Sequence, residues 1–195
     1  METTHLIPTA WGNVKVTSRG SMLSRLLLPI KELEPAPSFT VNSETCDYKL
    51  SEAVAAYFLG KPVCFQVVWS DPELTETYKL ARYWWNQIVP SISKPLLTVE
   101  IPLDLSGIPP ASRKILAATA AIPYGCTISY GELSNLVYSD NHHARGVGSA
   151  MRINPIPLII PCHRVVAKSG IGGFSGGTGV DYKEQMLVLE QQSLI

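Results

Sequence analysis

The chain has 195 residues, enough to bury a real core as one large domain or two small ones. Its apolar fraction of 46% is ordinary for a soluble globular protein, and it contains no uncharged apolar run of about 18 residues or more, so no membrane span is expected. Sixteen Lys and Arg balance 16 Asp and Glu, a neutrality that does not advertise a nucleic-acid binder.

The opening Met1-Glu2-Thr3-Thr4-His5 is not a basic region ahead of an apolar stretch, so a secretory signal is not expected. Four cysteines, Cys46, Cys64, Cys126 and Cys162, form no CxxC pair and no regular spacing. Neither a disulfide framework nor a zinc site is indicated, and a reducing cytosolic or nuclear compartment fits best. Charge is uneven: the stretch from Asn141 to Lys168 carries Arg145, Arg152, Arg164 and Lys168 with no acid, while Asp71, Glu73 and Glu76 cluster elsewhere. That can be a local basic face, or only scattered surface charge.

In chain order, Val14 to Thr17 alternates and Leu23 to Leu28 is apolar, with Arg19-Gly20-Ser21 able to turn between them as a hairpin. Lys31 to Asn42, rich in Pro and polar residues, reads as loop. Leu50 to Leu59 has helical spacing, with Val54, Tyr57 and Phe58 on one face, and Gly60-Lys61-Pro62 stops it. Pro72 to Trp85 is ambiguous. Leu96 to Leu105 alternates like a strand, and Pro102 suggests an edge. Gly107-Ile108-Pro109-Pro110 breaks the pattern, which divides the chain into 1–105, mixed α and β, and 106–195, mostly α.

Ala111 to Ala121 forms a helix ended by Pro123 and Gly125. Ser129-Tyr130-Gly131-Glu132 is a capping-box pattern, and Leu133, Leu136 and Val137 then share a face. Ser139-Asp140-Asn141 is a polar turn, and a second helix runs from about His143 to Met151. Helix, turn, helix is the skeleton of a DNA-binding helix-turn-helix, although many helical pairs share it. The second helix is built of small residues, Ala144, Gly146, Gly148, Ser149 and Ala150. They suit either tight packing against another helix or a helix lying flush in a DNA groove.

The chemistry concentrates in Asn154 to Val166. Three prolines stiffen this segment, and the apolar run ending at Ile160 buries it, so Cys162 is expected on a rigid, partly buried turn. A buried thiol is ordinarily inert; reaction needs a proton acceptor, and adjacent His163 is one only if the fold brings the two into contact. On the last helix, Lys183 and Glu190 fall on or beside the apolar stripe with Met186 and Leu187. A carboxylate there either reaches solvent at the stripe edge or orients an imidazole in a Cys–His–Glu relay. No strand and helix are seen to frame Gly170 to Gly177 as a phosphate cradle requires. That stretch reads as a plain loop or as a ligand cover with Phe174 as a flat wall and Ser175 as a donor.

Pro161-Cys162-His163-Arg164-Val165 resembles the active-site motif of the O6-alkylguanine-DNA alkyltransferases (methylated-DNA–protein-cysteine methyltransferases). Ile122-Pro123-Tyr124-Gly125, Ser129-Tyr130, Ala144 to Gly148, Asn154-Pro155, Gly176-Gly177, Lys183 and Glu190 follow in family order. The likeness is strong from about Ile115 to Glu190. Before that it is loose, through Trp11-Gly12, Tyr57 to Gly60 and Pro102 to Asp104.

The resemblance implies an N-terminal α/β domain with a small antiparallel sheet, ribonuclease H-like, followed by a mostly α, winged-helix-like domain with a helix-turn-helix. It implies Cys162 as alkyl acceptor, His163 as its base through a water, Glu190 holding His163, and Asn154 tying the helix pair to the active-site turn. Tyr130 would crowd the phosphate beside the target nucleotide, and Arg145 would fill the vacated base stack. Phe174 would lie by the guanine, Ser175 would donate to O6, and Val165 would offer a backbone carbonyl to the guanine amino group. Gly148, Arg152 and Lys168 would meet DNA. No cofactor or metal is implied; His5, Cys46 and Cys64 do not reproduce the zinc ligands some members carry. The partner would be double-stranded DNA with O6-alkylguanine, bound by a monomer in the cytoplasm, or the nucleus of a eukaryote.

Departures from the family pattern lie at Gly107 to Ala111, which lacks the usual Phe-rich sequence, at Thr178 to Tyr182, one residue longer than in many members, and at Lys168 and Cys126. The competing expectations are an alkyltransferase-like protein that binds lesions without transfer, a cysteine hydrolase that turns over, and a helix-turn-helix regulator indifferent to Cys162.

Overall fold

The computed structural model describes residues 1–29, 46–89 and 97–192. The loop expected from Lys31 to Asn42 lies outside the described residues.

Three antiparallel strands open the chain: β1 (Glu2–Thr9), β2 (Gly12–Arg19) and β3 (Met22–Leu27). The expected hairpin is β2–β3, and its turn needs glycine because Gly20 has φ +62°. Strand period two would put Leu23 and Leu26 on opposite faces, yet both are buried. Thr17 pairs with Arg25 and Ser18 with Leu23, so Ser24 bulges out and resets the alternation. The Ser24 hydroxyl anchors the bulge by donating to the Thr17 carbonyl at 3.1 Å.

Helix α1 (Cys46–Phe58) buries Leu50, Ala53, Val54 and Tyr57, an i, i+3, i+4, i+7 stripe. Gly60 ends it at φ +74°. The sequence reading passed over β4 (Val63–Val68), whose Val63, Phe65 and Val67 alternate inward. The ambiguous stretch is helix α2 (Pro72–Ile88), started by Asp71, whose side chain accepts from Glu73 N, with Pro72 in the first turn. It crosses over to β5 (Leu97–Pro102), which pairs in parallel with β4. Pro102 ends that ladder, but the strand is not a free edge. Leu103 bridges Leu23, and Asp104 N donates to the Leu23 carbonyl at 2.9 Å, tying β5 to the first sheet.

Helix α3 (Pro110–Ala120) is buried from Ile115 to Ala120, and α2, α4 and α5 pack around it. Two-residue β6 (Ile128–Ser129) leads into α4 (Tyr130–Tyr138), where the expected capping box is formed. Ser129 Oγ accepts from Glu132 N, and a Glu132 carboxylate oxygen accepts from Ser129 N at 2.8 Å. Ser139 ends α4 at φ +59°. Buried Ser134 then fixes the turn, donating to the Asp140 carbonyl at 2.8 Å and accepting from His143 N at 3.2 Å. Helix α5 (Ala144–Arg152) follows, then a 3-10 turn (Cys162–Arg164), β7 (Val165–Val166) parallel to β6, and α6 (Val180–Gln192). The glycine stretch follows two-residue β7 and precedes α6. Its interior is engaged by Lys183 (below).

The fold is thus mixed α/β, a small antiparallel sheet with helices. No helix among the described residues is long and apolar enough to cross a membrane. The cap makes the first prediction. Ser129→Ala should lower folding stability by about 1 kcal/mol, read as a urea midpoint shift at unchanged slope; an unchanged midpoint would mean the cap carries nothing.

Candidate active site

The segment leading to Cys162 is held by one side chain. Asn154 donates from Nδ2 to the Ile160 carbonyl at 2.9 Å and accepts from Ile156 N on Oδ1 at 3.1 Å, spanning the proline-rich loop. Inside it, Leu158 adopts φ +78°, a left-handed conformation that costs a non-glycine residue roughly 1–3 kcal/mol. Burial of Ile156, Leu158, Ile159 and Ile160 holds it there. The chain then delivers Cys162, 5% exposed, at the start of the 3-10 turn.

Behind the turn lies a buried carboxylate. Glu190 on α6 is fully buried, so it does not reach solvent at the stripe edge. Oε1 lies 2.7 Å from His163 Nε2 and accepts from Tyr57 at 2.8 Å and Arg164 Nη2 at 2.9 Å. Oε2 accepts from Arg164 Nε and from Gly125 N, both at 3.0 Å. Arg164 also donates to the Ile122 carbonyl at 2.7 Å. Arg164 is therefore buried and paired, and is removed from the expected basic face.

Burial pushes the Glu190 carboxyl up, but the Arg164 charge and the His163 and Arg164 hydrogen bonds overcome it and hold it well below the usual carboxylate range. An ionised carboxylate only accepts, so His163 Nε2 carries the imidazole proton. The other ring nitrogen, Nδ1, is buried without a hydrogen-bond partner among the described residues and holds a free lone pair. Burial pushes the His163 imidazolium down against the pull of Glu190, keeping the ring neutral. Burial likewise pushes the Cys162 thiol up, opposed by hydrogen bonding from Asn154 and the Lys183 charge. The resting site is thus a protonated thiol beside a neutral base.

Lys183, also fully buried on α6, donates to the Val165 carbonyl at 2.6 Å and the Gly173 carbonyl at 3.3 Å. It joins the glycine loop to the turn after Cys162, and burial pushes its ammonium down to about 8. The Tyr130 hydroxyl donates to the same Gly173 carbonyl at 3.4 Å.

A cavity of about 310 Å³ opens over Cys162, lined by Tyr130, Gly148, Arg152, Phe174 and Ser175. Six residues singled out in the sequence thus converge on one opening. The Ser175 hydroxyl points to the Arg152 carbonyl at 3.4 Å. Gly172, at φ +75°, lets the loop pass under Tyr130, where a Cβ would lie 3.1 Å from the ring. Arg145 is exposed in the first turn of α5, apart from the cavity. Lys168 is exposed in a different groove with Ser129 and Glu132. Val165, His163 and Glu190 are buried and do not line the cavity. The contacts of Tyr57 and Gly125 with Glu190 escaped the sequence reading. A buried helical face was the only signal for Tyr57, and a backbone donor leaves none.

A family profile described as the DNA-binding domain of 6-O-methylguanine DNA methyltransferase matches residues 110–192. A methylated-DNA–protein-cysteine methyltransferase of Mycolicibacterium paratuberculosis is 35% identical over 140 residues, covering 63% of this chain and 82% of that relative. One from Methanocaldococcus jannaschii is 40% identical over 88 residues, 45% of this chain and 50% of its own. The chain thus spans about half the length of this archaeal relative. Among solved structures, the O6-methylguanine methyltransferase of Mycobacterium tuberculosis superposes with TM-score 0.64 at 26% identity, covering 99% of this chain and 94% of that one. The same organism's OGT in complex with DNA gives 0.64, also at 26% identity, covering 97% and 93%. The chain belongs to the methylated-DNA–protein-cysteine methyltransferase family.

The buried cluster makes two predictions. Glu190→Gln leaves Arg164 buried without its counter-charge and should cost about 3–5 kcal/mol, seen as a large loss of urea midpoint; a loss below about 1 kcal/mol would mean the pair relaxes into water. The second concerns pH. The native state prefers neutral His163, so its contribution is complete above the unfolded imidazole value of 6.5 and is lost as pH falls below it. Glu190 adds a second loss below 4.5. The wild-type midpoint should fall between about pH 6.5 and 5, and His163→Gln should flatten that fall; equal slopes would remove His163 as its source.

Proposed function

We propose that this protein repairs alkylated DNA by direct reversal, transferring a methyl or other alkyl group from O6 of a flipped-out guanine irreversibly to Cys162. O4 of thymine is a second acceptable donor. What supports this reading is a buried Cys162 thiol lining an open cavity, followed in the same turn by a His163 held by the buried Glu190 carboxylate. The family's names for its relatives agree with it.

The chemistry follows from the geometry. A thiol at the bottom of a cavity cannot reach O6 inside a duplex, so the nucleotide must rotate outward, at a cost of a few kcal/mol that is least for a damaged pair. Cys162 passes its proton to His163 Nδ1 through a water, and Glu190 stabilises the imidazolium. The thiolate attacks the alkyl carbon, the S–C bond forms, the C–O6 bond breaks, and its electron pair stays with the base. The base takes up a proton and becomes guanine again. The thioether is a poor leaving group, so each molecule reacts once.

The elements divide the labour. Residues 1–105 form the ribonuclease H-like support, with three antiparallel and two parallel strands beside α1 and α2. Residues 106–195 form the winged-helix-like unit, in which α4 and α5 are the helix-turn-helix. The small residues of α5, Gly148 among them, let it lie against a groove. Arg145 fills the gap left by the flipped base, and Arg152 and Lys168 contact phosphate. Tyr130 crowds the neighbouring phosphate. Phe174 stacks by the guanine, Ser175 donates to O6, and the Val165 carbonyl receives the guanine amino group on its remaining lone pair. Asn154 fixes the turn against α5. The molecule acts as a monomer on double-stranded DNA in the cytoplasm, or in the nucleus of a eukaryotic cell.

Incubation with duplex DNA holding O6-methylguanine should add one methyl mass to the Cys162 peptide, up to one equivalent. An unmodified Cys162 in protein that still binds the lesion would instead make it a lesion-binding protein, and continued turnover would make it a hydrolase. Arg145→Ala should slow transfer from duplex more than transfer from the free alkylated base; equal slowing would remove the stack-filling role. Binding should weaken steeply with salt.

A further inference from the structure

The hydroxyl of Tyr57 has no neutral explanation in packing. Its ring is fully buried, edge-on to Phe58 at 5.3 Å and to Tyr124 at 5.9 Å, contacts a phenylalanine would make equally well. The hydroxyl instead donates to Glu190 Oε1 at 2.8 Å, the oxygen that lies 2.7 Å from His163 Nε2. The phenol oxygen is itself 3.4 Å from Nε2. Protons from Tyr57 on α1 and from His163 and Arg164 of the active-site turn therefore converge on one carboxylate oxygen.

We infer that Tyr57 is a positioning residue for Cys162: by donating to Glu190 it fixes the carboxylate and limits how strongly that carboxylate draws positive charge onto His163. The N-terminal part of the chain thereby tunes the base as well as supporting the fold. The role deepens the alkyl-transfer reading and takes its biological meaning from it, but its test needs no DNA.

The direction follows from electrostatics. The groups around His163 are Glu190 and Lys183 from α6, Arg164 and Cys162 beside it, Tyr57 from α1, and Tyr124 from the turn before β6, with Cys126 within the field of Glu190 and Arg164. A hydrogen bond donated to Glu190 spreads its negative charge. Removing that bond strengthens the attraction between Glu190 and an imidazolium, so His163 holds a proton to higher pH. Burial raises the Tyr57 phenol, with Glu190 adding to it, so the hydroxyl remains a donor throughout. Because the reactive form is thiol plus neutral imidazole, protonating His163 removes the base.

The experiment follows carboxamidomethylation of Cys162 by iodoacetamide in the full-length protein across pH, by mass on the Cys162 peptide so that Cys46, Cys64 and Cys126 do not intrude. The thiolate sulfur displaces iodide in this reaction. In Tyr57→Phe the acid limb of the rate profile should move up by about one pH unit or more, the size of one lost hydrogen bond to a charged acceptor. Incorporation of 3-fluorotyrosine at position 57, a stronger donor of nearly the same shape, should move the limb down, and it decides the matter if Tyr57→Phe fails to fold. A limb that stays put, or moves the other way, overturns the inference whatever happens to the plateau, since looser packing lowers a plateau without moving a limb. If wild-type protein takes no methyl group from DNA while the limb moves as expected, the repair reading fails and the role of Tyr57 stands.

Discussion

Glu190 accepts hydrogen bonds from donors brought by distant parts of the chain: the Tyr57 hydroxyl from α1, the Gly125 amide ahead of β6, and His163 and Arg164 from the turn that carries Cys162. Taking a carboxylate out of water costs several kcal/mol, and attraction to a buried partner offsets that only when geometry is good and the remaining lone pairs are filled. Here both oxygens are filled and Arg164 supplies the counter-charge through two nitrogens, so the charge is tolerated in a site closed to solvent. The same requirement makes the arrangement unforgiving. Each donor must arrive together, so α1, α6 and the active-site turn are fixed relative to one another by a polar constraint that apolar packing alone would leave adjustable.

Much of this was open to a reader of the sequence, and the gaps have physical causes. Capping chemistry is local, so Ser129 and Glu132 announced the start of α4. Spacing of three and four residues placed Lys183 and Glu190 on the stripe of α6, but spacing cannot tell a stripe edge from a stripe centre. Only the tertiary partners make Glu190 buried. Arg164 was read as surface charge because a lone arginine carries no mark of its partner. Tyr57 was assigned to the right helical face without any hint that its hydroxyl mattered. Among the strands, β4 alternates and was readable. β1 was not, since Ile7 is its one buried residue. Helix α2 was ambiguous because exposed Leu80, Tyr83 and Ile88 blur the buried stripe of Leu74, Ala81 and Trp85. The family resemblance supplied roles that pattern could not, and it was densest where the chemistry lies.

Burial acts on Cys162 and His163 in opposite senses, and under the proposed reaction the combination explains why a single-use thiol can wait. An exposed thiolate would react with any electrophile it met, a loss that a protein consumed by one reaction, as proposed, could not tolerate. Burial raises the thiol and lowers the imidazole together, so neither is charged at rest. The base is nevertheless oriented, because Glu190 holds Nε2–H and leaves the Nδ1 lone pair free. Ionisation is thus deferred rather than prevented. The Lys183 ammonium also draws the thiol toward its charged form, while its two carbonyl contacts keep the glycine loop over the cavity. What remains is access, and the cavity wall sets it. Tyr130, Phe174 and Gly148 form part of that wall, and Gly172 lets the loop pass close under the Tyr130 ring. Selectivity then resides in what can be brought to the thiol more than in how reactive the thiol is at rest, and in the proposed reading that sorting belongs to the surface of α5.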